Sequence, residues 1–186
     1  MAKKGQILKN PYSGDTYEYL ETAKETNGER VTIKMILKTK GPLVPDHMHT
    51  LQDESFEVLS GKLAILSEGK KITLSPGDKI AFPKNTPHNH YNDDDKAEAV
   101  FIQTLTPALD FEYLLETIVG LSTDGKMPNG KAGLIQELVI LKYIDSKSFL
   151  VNIPLGVQKL LMNILAPIGR FLGYRAVYKK YSEIEK

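Results

Sequence analysis

Residues 41–61 read GPLVPDHMHTLQDESFEVLSG and residues 77–92 read GDKIAFPKNTPHNHYN. His47 and His49 are two positions apart, so on an extended chain both imidazoles leave the same face of the sheet. Glu54 follows after a short polar connection and heads the alternating row Glu54, Phe56, Val58, which Gly61 ends with a turn. In the second stretch Gly77 and Asp78 make a tight turn, Ile80 and Phe82 read as a short strand, and Pro83 to Pro87 form a stiff loop that delivers His88. Paired strands of this kind bring three imidazoles and one carboxylate toward a common pocket.

Working outward, the flanking chain is built of short strands. Ile7 and Leu8 form one, Thr16 to Thr22 a second, and Asn27-Gly28 is a hairpin signal. From Arg30 to Lys38, Val31, Ile33, Met35 and Leu37 face one side while Arg30, Thr32, Lys34 and Lys38 face the other, which predicts a half-buried strand. Fifteen residues separate Gly61 from Gly77, enough for one hairpin, with Leu63 and Ile65 before the turn at Glu68-Gly69 and Ile72 and Leu74 after it. Asn92 to Asp95 reads as a charged surface loop, and Ala99 to Leu105 as a closing strand that Pro107 ends. Many short strands with frequent turn signals mean a sandwich or barrel.

The spacing of the two quoted stretches resembles the two motifs of the cupin superfamily. Gly41, His47, His49, Glu54 and Gly61 match the first motif, and Gly77, Pro83, His88 and Asn92 the second. Asn85 stands where the family usually has glycine, and asparagine is the residue that best tolerates the positive φ such a turn needs. The resemblance implies a single β-barrel of jelly-roll type, with two antiparallel sheets, over residues 1–108. It also implies a divalent metal held by His47, His49, Glu54 and His88. Three imidazoles and a carboxylate without thiolate suit Fe, Mn, Ni, Co, Cu or Zn and leave positions open for substrate, water or dioxygen. His90 lies two residues beyond His88 and either shares its face, as a candidate catalytic acid/base or a hydrogen-bond donor behind the ligands, or has reached the barrel rim. Gln103 is a candidate lining group if its strand turns that position inward.

Beyond Pro107 the apolar period changes from two to about three and a half. Phe111, Leu114, Leu115, Ile118 and Val119 form one helical stripe, with Asp110 as its N-cap or first-turn acid. Leu134, Ile135, Leu138 and Leu141 form a second stripe. Leu160, Leu161, Ile164 and Leu165 form a third, in a helix that starts at Pro154 and is kinked or ended by Pro167 and Gly169. Residues 109–186 thus read as a C-terminal helical extension. Its last helix is too interrupted by Gln158, Lys159, Asn163 and Arg170 to cross a membrane, and its stripes call for cover by the barrel, by a second subunit or, with Lys159, Arg170, Arg175, Lys179 and Lys180 nearby, by a membrane surface. Cupins commonly pair, so the resemblance favours a homodimer.

Composition sets the remaining bounds. The 186 residues are 41% hydrophobic and 25% charged with net charge +1, a globular profile without the field that draws in nucleic acid. Cysteine is absent, which removes disulfides, thiolate ligands and cysteine nucleophiles. The opening MAKKGQILKNPYSG has no apolar export segment, so a cytoplasmic protein is expected. Only Arg30 lies in the barrel region, on the face opposite its apolar row, so the arginine clamps that suit phosphorylated substrates are missing. The expected activity is that of a metal-dependent oxygenase acting on a small neutral or weakly acidic organic molecule held in the barrel. A metal-dependent isomerase, hydrolase or lyase, and a non-catalytic ligand-binding or sensing module, are the alternatives.

Overall fold

The structure is a computed structural model that describes residues 2–38, 45–184 and 186. Gly41, the first motif position, lies outside them. In chain order the strands are β1 (Ile7–Lys9), β2 (Thr16–Glu21), β3 (Val31–Leu37), β4 (His47–His49), β5 (Asp53–Ser60), β6 (Leu63–Ser67), β7 (Lys70–Leu74), β8 (Lys79–Phe82), β9 (His88–Asn92) and β10 (Ala99–Thr106). They are followed by α1 (Phe111–Thr123), α2 (Leu134–Tyr143), β11 (Ser148–Leu150), α3 (Leu155–Phe171) and α4 (Lys179–Ser182).

Alternation builds the sheets. In β3 Val31, Ile33 and Met35 are buried while Thr32 and Lys34 are not, and β10 buries Ala99, Phe101, Gln103 and Leu105 in the same rhythm. One antiparallel sheet runs β1-β2-β3-β10-β5-β8 and the other β11-β4-β9-β6-β7. The two face each other as a jelly roll without closing into one continuous hydrogen-bonded ring. Between them lies a core that includes Tyr19, Val31, Ile33, Phe56, Val58, Leu63, Ile65, Phe101 and Leu105. Each large side chain buried there contributes about 1.5–3 kcal/mol of hydrophobic stabilisation, so the fold has a foundation independent of any ion.

The turns follow the expected chemistry. Glu68 (φ 50°) and Gly69 (φ 75°) form the two-residue turn from β6 to β7, consecutive left-handed residues of the kind tight hairpins require, while Asn27 (φ 52°) and Gly28 (φ 82°) make a like turn inside the longer connection 22–30 between β2 and β3. Gly61 is obligatory in two ways: its φ is 74°, and a Cβ there would lie 2.1 Å from the Glu98 carbonyl oxygen.

The C-terminal residues enter the sheets and their core. Phe111, Leu115 and Val119 of α1 belong to the same buried cluster as the sheet residues. β11 extends the second sheet beside β4, with Ser148 opposite His49 and Leu150 opposite His47. The sequence reading contained no such strand, because three residues between two helices give no period. Asp110 occupies the N-cap position of α1 but makes no side-chain cap. Its carboxylate instead accepts the N–H groups of Asp145 and Ser146 at 2.8–3.0 Å and the Lys186 ammonium at 3.0 Å. α3 runs on through Pro167 to Phe171, longer than the sequence implied. α2 and α3 approach closely at Gly169, where a Cβ would come within 2.6 Å of Val139 Cγ2. No helix among the described residues is long and apolar enough to cross a membrane.

Candidate metal centre

Strand β4 carries His47 and His49, β5 opens with Asp53 and Glu54, and β9 starts at His88, directly opposite His47 in the sheet register. Loop chemistry sets the entry to these strands. Asn85 adopts φ 68° and its N–H donates to the His49 carbonyl at 2.7 Å, so the residue that departs from the glycine pattern both makes the turn and ties it to the ligand strand. On the side of β9 away from the imidazoles, Asn89 donates to the Asp46 carboxylate and accepts the Leu66 N–H at 3.1 Å. That bridge locks β4, β9 and β6 together and went unnoticed in the sequence, where Asn89 is one polar residue among several.

One ligand atom from each of His47, His49, Glu54 and His88 can be chosen so that all lie within 4.8 Å of one another, and all four residues are buried. The carboxylate oxygen Oε2 of Glu54 stands 2.9 Å from His49 Nε2 and 2.8 Å from His88 Nε2. The His88 ring stacks on Phe82 at 4.7 Å between centroids, which fixes its plane. Nδ1 of His47 lies 2.8 Å from the Pro45 carbonyl and Nδ1 of His88 2.9 Å from that of Thr86. A carbonyl only accepts, so both rings carry hydrogen on Nδ1 and, when neutral, present the Nε2 lone pair to the site.

That assignment tests the fit of a cation. For His88 a lone pair faces an ionised carboxylate oxygen at 2.8 Å, an arrangement that is repulsive unless a positive charge sits between them. A proton can serve: although burial lowers the His88 pKa, the hydrogen bond and charge of Glu54 outweigh it and raise the value above that of a free imidazole. A divalent metal serves all four groups at once. Burial works to raise the Glu54 pKa, but hydrogen bonds and charge from His49 and His88 hold it well below the ordinary carboxylate range. Burial pushes His47 down to about 4. The donor set is therefore one ionised carboxylate and three buried imidazoles, and it fits a divalent transition ion.

His90 is inside rather than at the rim, 5% exposed, between the rings of Phe56 (5.0 Å) and Phe101 (5.7 Å). Burial lowers its pKa to about 4, so it is neutral, and its Nδ1 has no partner. Asn92 is different: its amide donates to the Leu37 and Ala97 carbonyls at 3.3 and 2.7 Å and pins the loop that follows. Gln103 faces inward and donates to Oε1 of Glu54, a contact that strand parity alone did not decide.

The family model of the cupin domain matches residues 33–105. Quercetin 2,3-dioxygenase of Bacillus subtilis (strain 168) is 31% identical over 107 residues, which are 57% of this chain and 31% of that protein; the chain thus spans about a third of that relative's length. A probable oxidoreductase, virH, of Hypocrea virens is 28% identical over 190 residues, covering 91% of this chain and 84% of that one. Among solved structures, KdgF from Halomonas sp. superposes with a TM-score of 0.49 at 19% identity, covering 57% of this chain and 90% of that one. With its two motifs, its jelly-roll strands and its three-histidine, one-glutamate cluster, the stretch around residues 33–105 is a cupin domain.

Proposed function

We propose that this protein is a mononuclear metal-dependent oxidoreductase of the oxygenase type, acting on a small neutral or weakly acidic organic molecule held between the two sheets. The observation that carries the reading is the convergence of His49 and His88 on one oxygen of Glu54, with His47 alongside, in a cluster only 2–7% exposed. The names borne by both sequence relatives, a dioxygenase and a probable oxidoreductase, support redox chemistry over the alternatives.

His47, His49, Glu54 and His88 would hold one divalent ion of Fe, Mn, Ni, Co, Cu or Zn. Bound there, a redox-active ion supplies Lewis-acid polarisation and an electron-transfer centre for reaction with dioxygen. The chain's own residues do the rest. Phe56, Phe82 and Phe101 line the neighbourhood with apolar rings and exclude water. His90, neutral and with a free Nδ1, offers a hydrogen bond to a substrate hydroxyl and is the candidate proton carrier. The only arginine of the barrel region, Arg30, is spent on Glu21 outside, at 2.8 Å through both Nε and Nη2. That supports a substrate without phosphate.

We further propose a homodimer joined through the exposed apolar stripe of α3. The activity is tested with protein reconstituted separately with each of the six metals, measuring oxygen uptake against a panel of enols, catechols and flavonols that includes quercetin. Uptake that needs both metal and substrate is expected for at least one pairing. Metal-loaded protein that binds panel compounds but consumes no oxygen with any of them would replace the enzyme reading with that of a binding module.

A further inference from the structure

Glu54 has two oxygens, and they face different company. Oε2 points at His49 and His88, 2.9 and 2.8 Å away, while Oε1 receives the side-chain amide of Gln103. We propose that Gln103 is a positioning residue that commits Glu54 to ligate the metal through Oε2 alone; this rests on the metal centre proposed above.

Three features carry the inference. First, the amide orientation is forced: an ionised carboxylate only accepts, so the NH2 group of Gln103 must face it. Among the described residues it is the one amide on that carboxylate, and it holds Oε1, away from the oxygen that faces His49 and His88.

Second, the reach is specific. Gln103 stands opposite Phe56 and Leu105 stands opposite Glu54 in the β10–β5 register, so Gln103 is the diagonal neighbour of Glu54, a separation only a long side chain crosses. Its backbone is held on both sides, by Ile33 of β3 and Phe56 of β5, and it is 3% exposed.

Third, the residue carries a cost that packing alone does not justify. Gln103 Oε1 is buried without a hydrogen-bond partner, a loss that an apolar residue of similar length would avoid. A buried amide with one half unsatisfied is explained by what its other half restrains, as partners of ligating groups elsewhere set their orientation and basicity.

The test uses the full chain, wild type and Gln103→Met, titrated with Co2+ and followed by visible absorption, with melting recorded in chelator. The variant is expected to fold, to melt below the wild-type temperature when metal-free because Glu54 Oε1 loses its buried donor, and to bind Co2+ about 10–100-fold more weakly. Its ligand-field bands should lose intensity as the freed carboxylate contributes its second oxygen and the coordination number rises. Unchanged affinity and bands would overturn the proposal. Should Gln103→Met fail to fold, Gln103→Asn, which keeps the amide but is too short to span the gap, reads the same quantities. Folded wild type that takes up no Co2+ would instead defeat the metal centre. The contact itself is then read by NMR of the metal-free chain, where the Gln103 side-chain amide resonances must move on Glu54→Gln, and resonances that stay put would overturn the positioning role as well.

Discussion

At the scale of single residues, His47, His49, Glu54 and His88 could be picked out of the sequence because a spacing of two on a strand is a statement about direction. The motif added the partners that lie far apart in the chain. What spacing could not provide is contact across the sheets. Gln103 was a matter of parity on β10, decided only by its register against β5, and the Asp46–Asn89 bridge joins two residues each of which looks ordinary alone. His49 is the informative residue to remove. It contributes a ligand atom 2.9 Å from Glu54 Oε2, yet its strand is held by β9 on one side and β11 on the other, and the core beside the site is built of apolar side chains. Metal and fold should therefore come apart on His49→Ala.

At the scale of elements, the hairpins and the strand alternation were legible because turn residues and a period of two are local properties. β11 was not, because its place in the sheet comes from a long-range pairing with β4. The clamp that delivers it is also hidden in sequence: Asp110, at the head of α1, holds the Asp145 and Ser146 N–H groups and Lys186, joining three distant segments. Burial works to raise the Asp110 pKa, but the two backbone hydrogen bonds and Lys186 outweigh it, so the folded value lies below the ordinary one. A depressed folded pKa means stability that is present above the unfolded value, about 3.9, and lost as pH falls below it. Asp110→Ala should cost about 1–3 kcal/mol at pH 7 through the unpaired N–H groups it leaves. The gap to wild type should narrow in urea unfolding below about pH 4. A constant gap across that range would show that the carboxylate's charge plays no part.

At the scale of the whole molecule, α3 shows two apolar faces. Met162, Ala166 and Gly169 are buried, on the side that meets α2, while Val157, Leu160, Ile164, Ile168 and Phe171 form an exposed stripe on the opposite side, Phe171 being 90% exposed. Exposed Leu150, Val151 and Ile153 lie just before the helix, so the stripe begins at its N-terminal approach. At about 100° per residue, Lys159 and Arg170 fall well away from the stripe, so neither cation of the helix lies within that contact. An equally apolar stripe on a second copy matches it. Light scattering of the purified chain should give twice the monomer mass, reduced to the monomer mass by Leu160→Ser with Ile164→Ser. A monomer that sediments with phosphatidylserine vesicles would assign the stripe to a lipid surface instead.

The central claim is that the buried cluster is a metal site on a fold that does not depend on metal. Its most direct test is elemental analysis of untagged wild-type and His49→Ala protein after equilibration with a divalent transition ion, paired with melting of both in chelator. The account predicts one ion per wild-type chain, none retained by the variant, and melting temperatures of the two metal-free proteins within a few degrees of each other. A wild-type chain that retains no ion, or one that unfolds when its metal is removed, would contradict it.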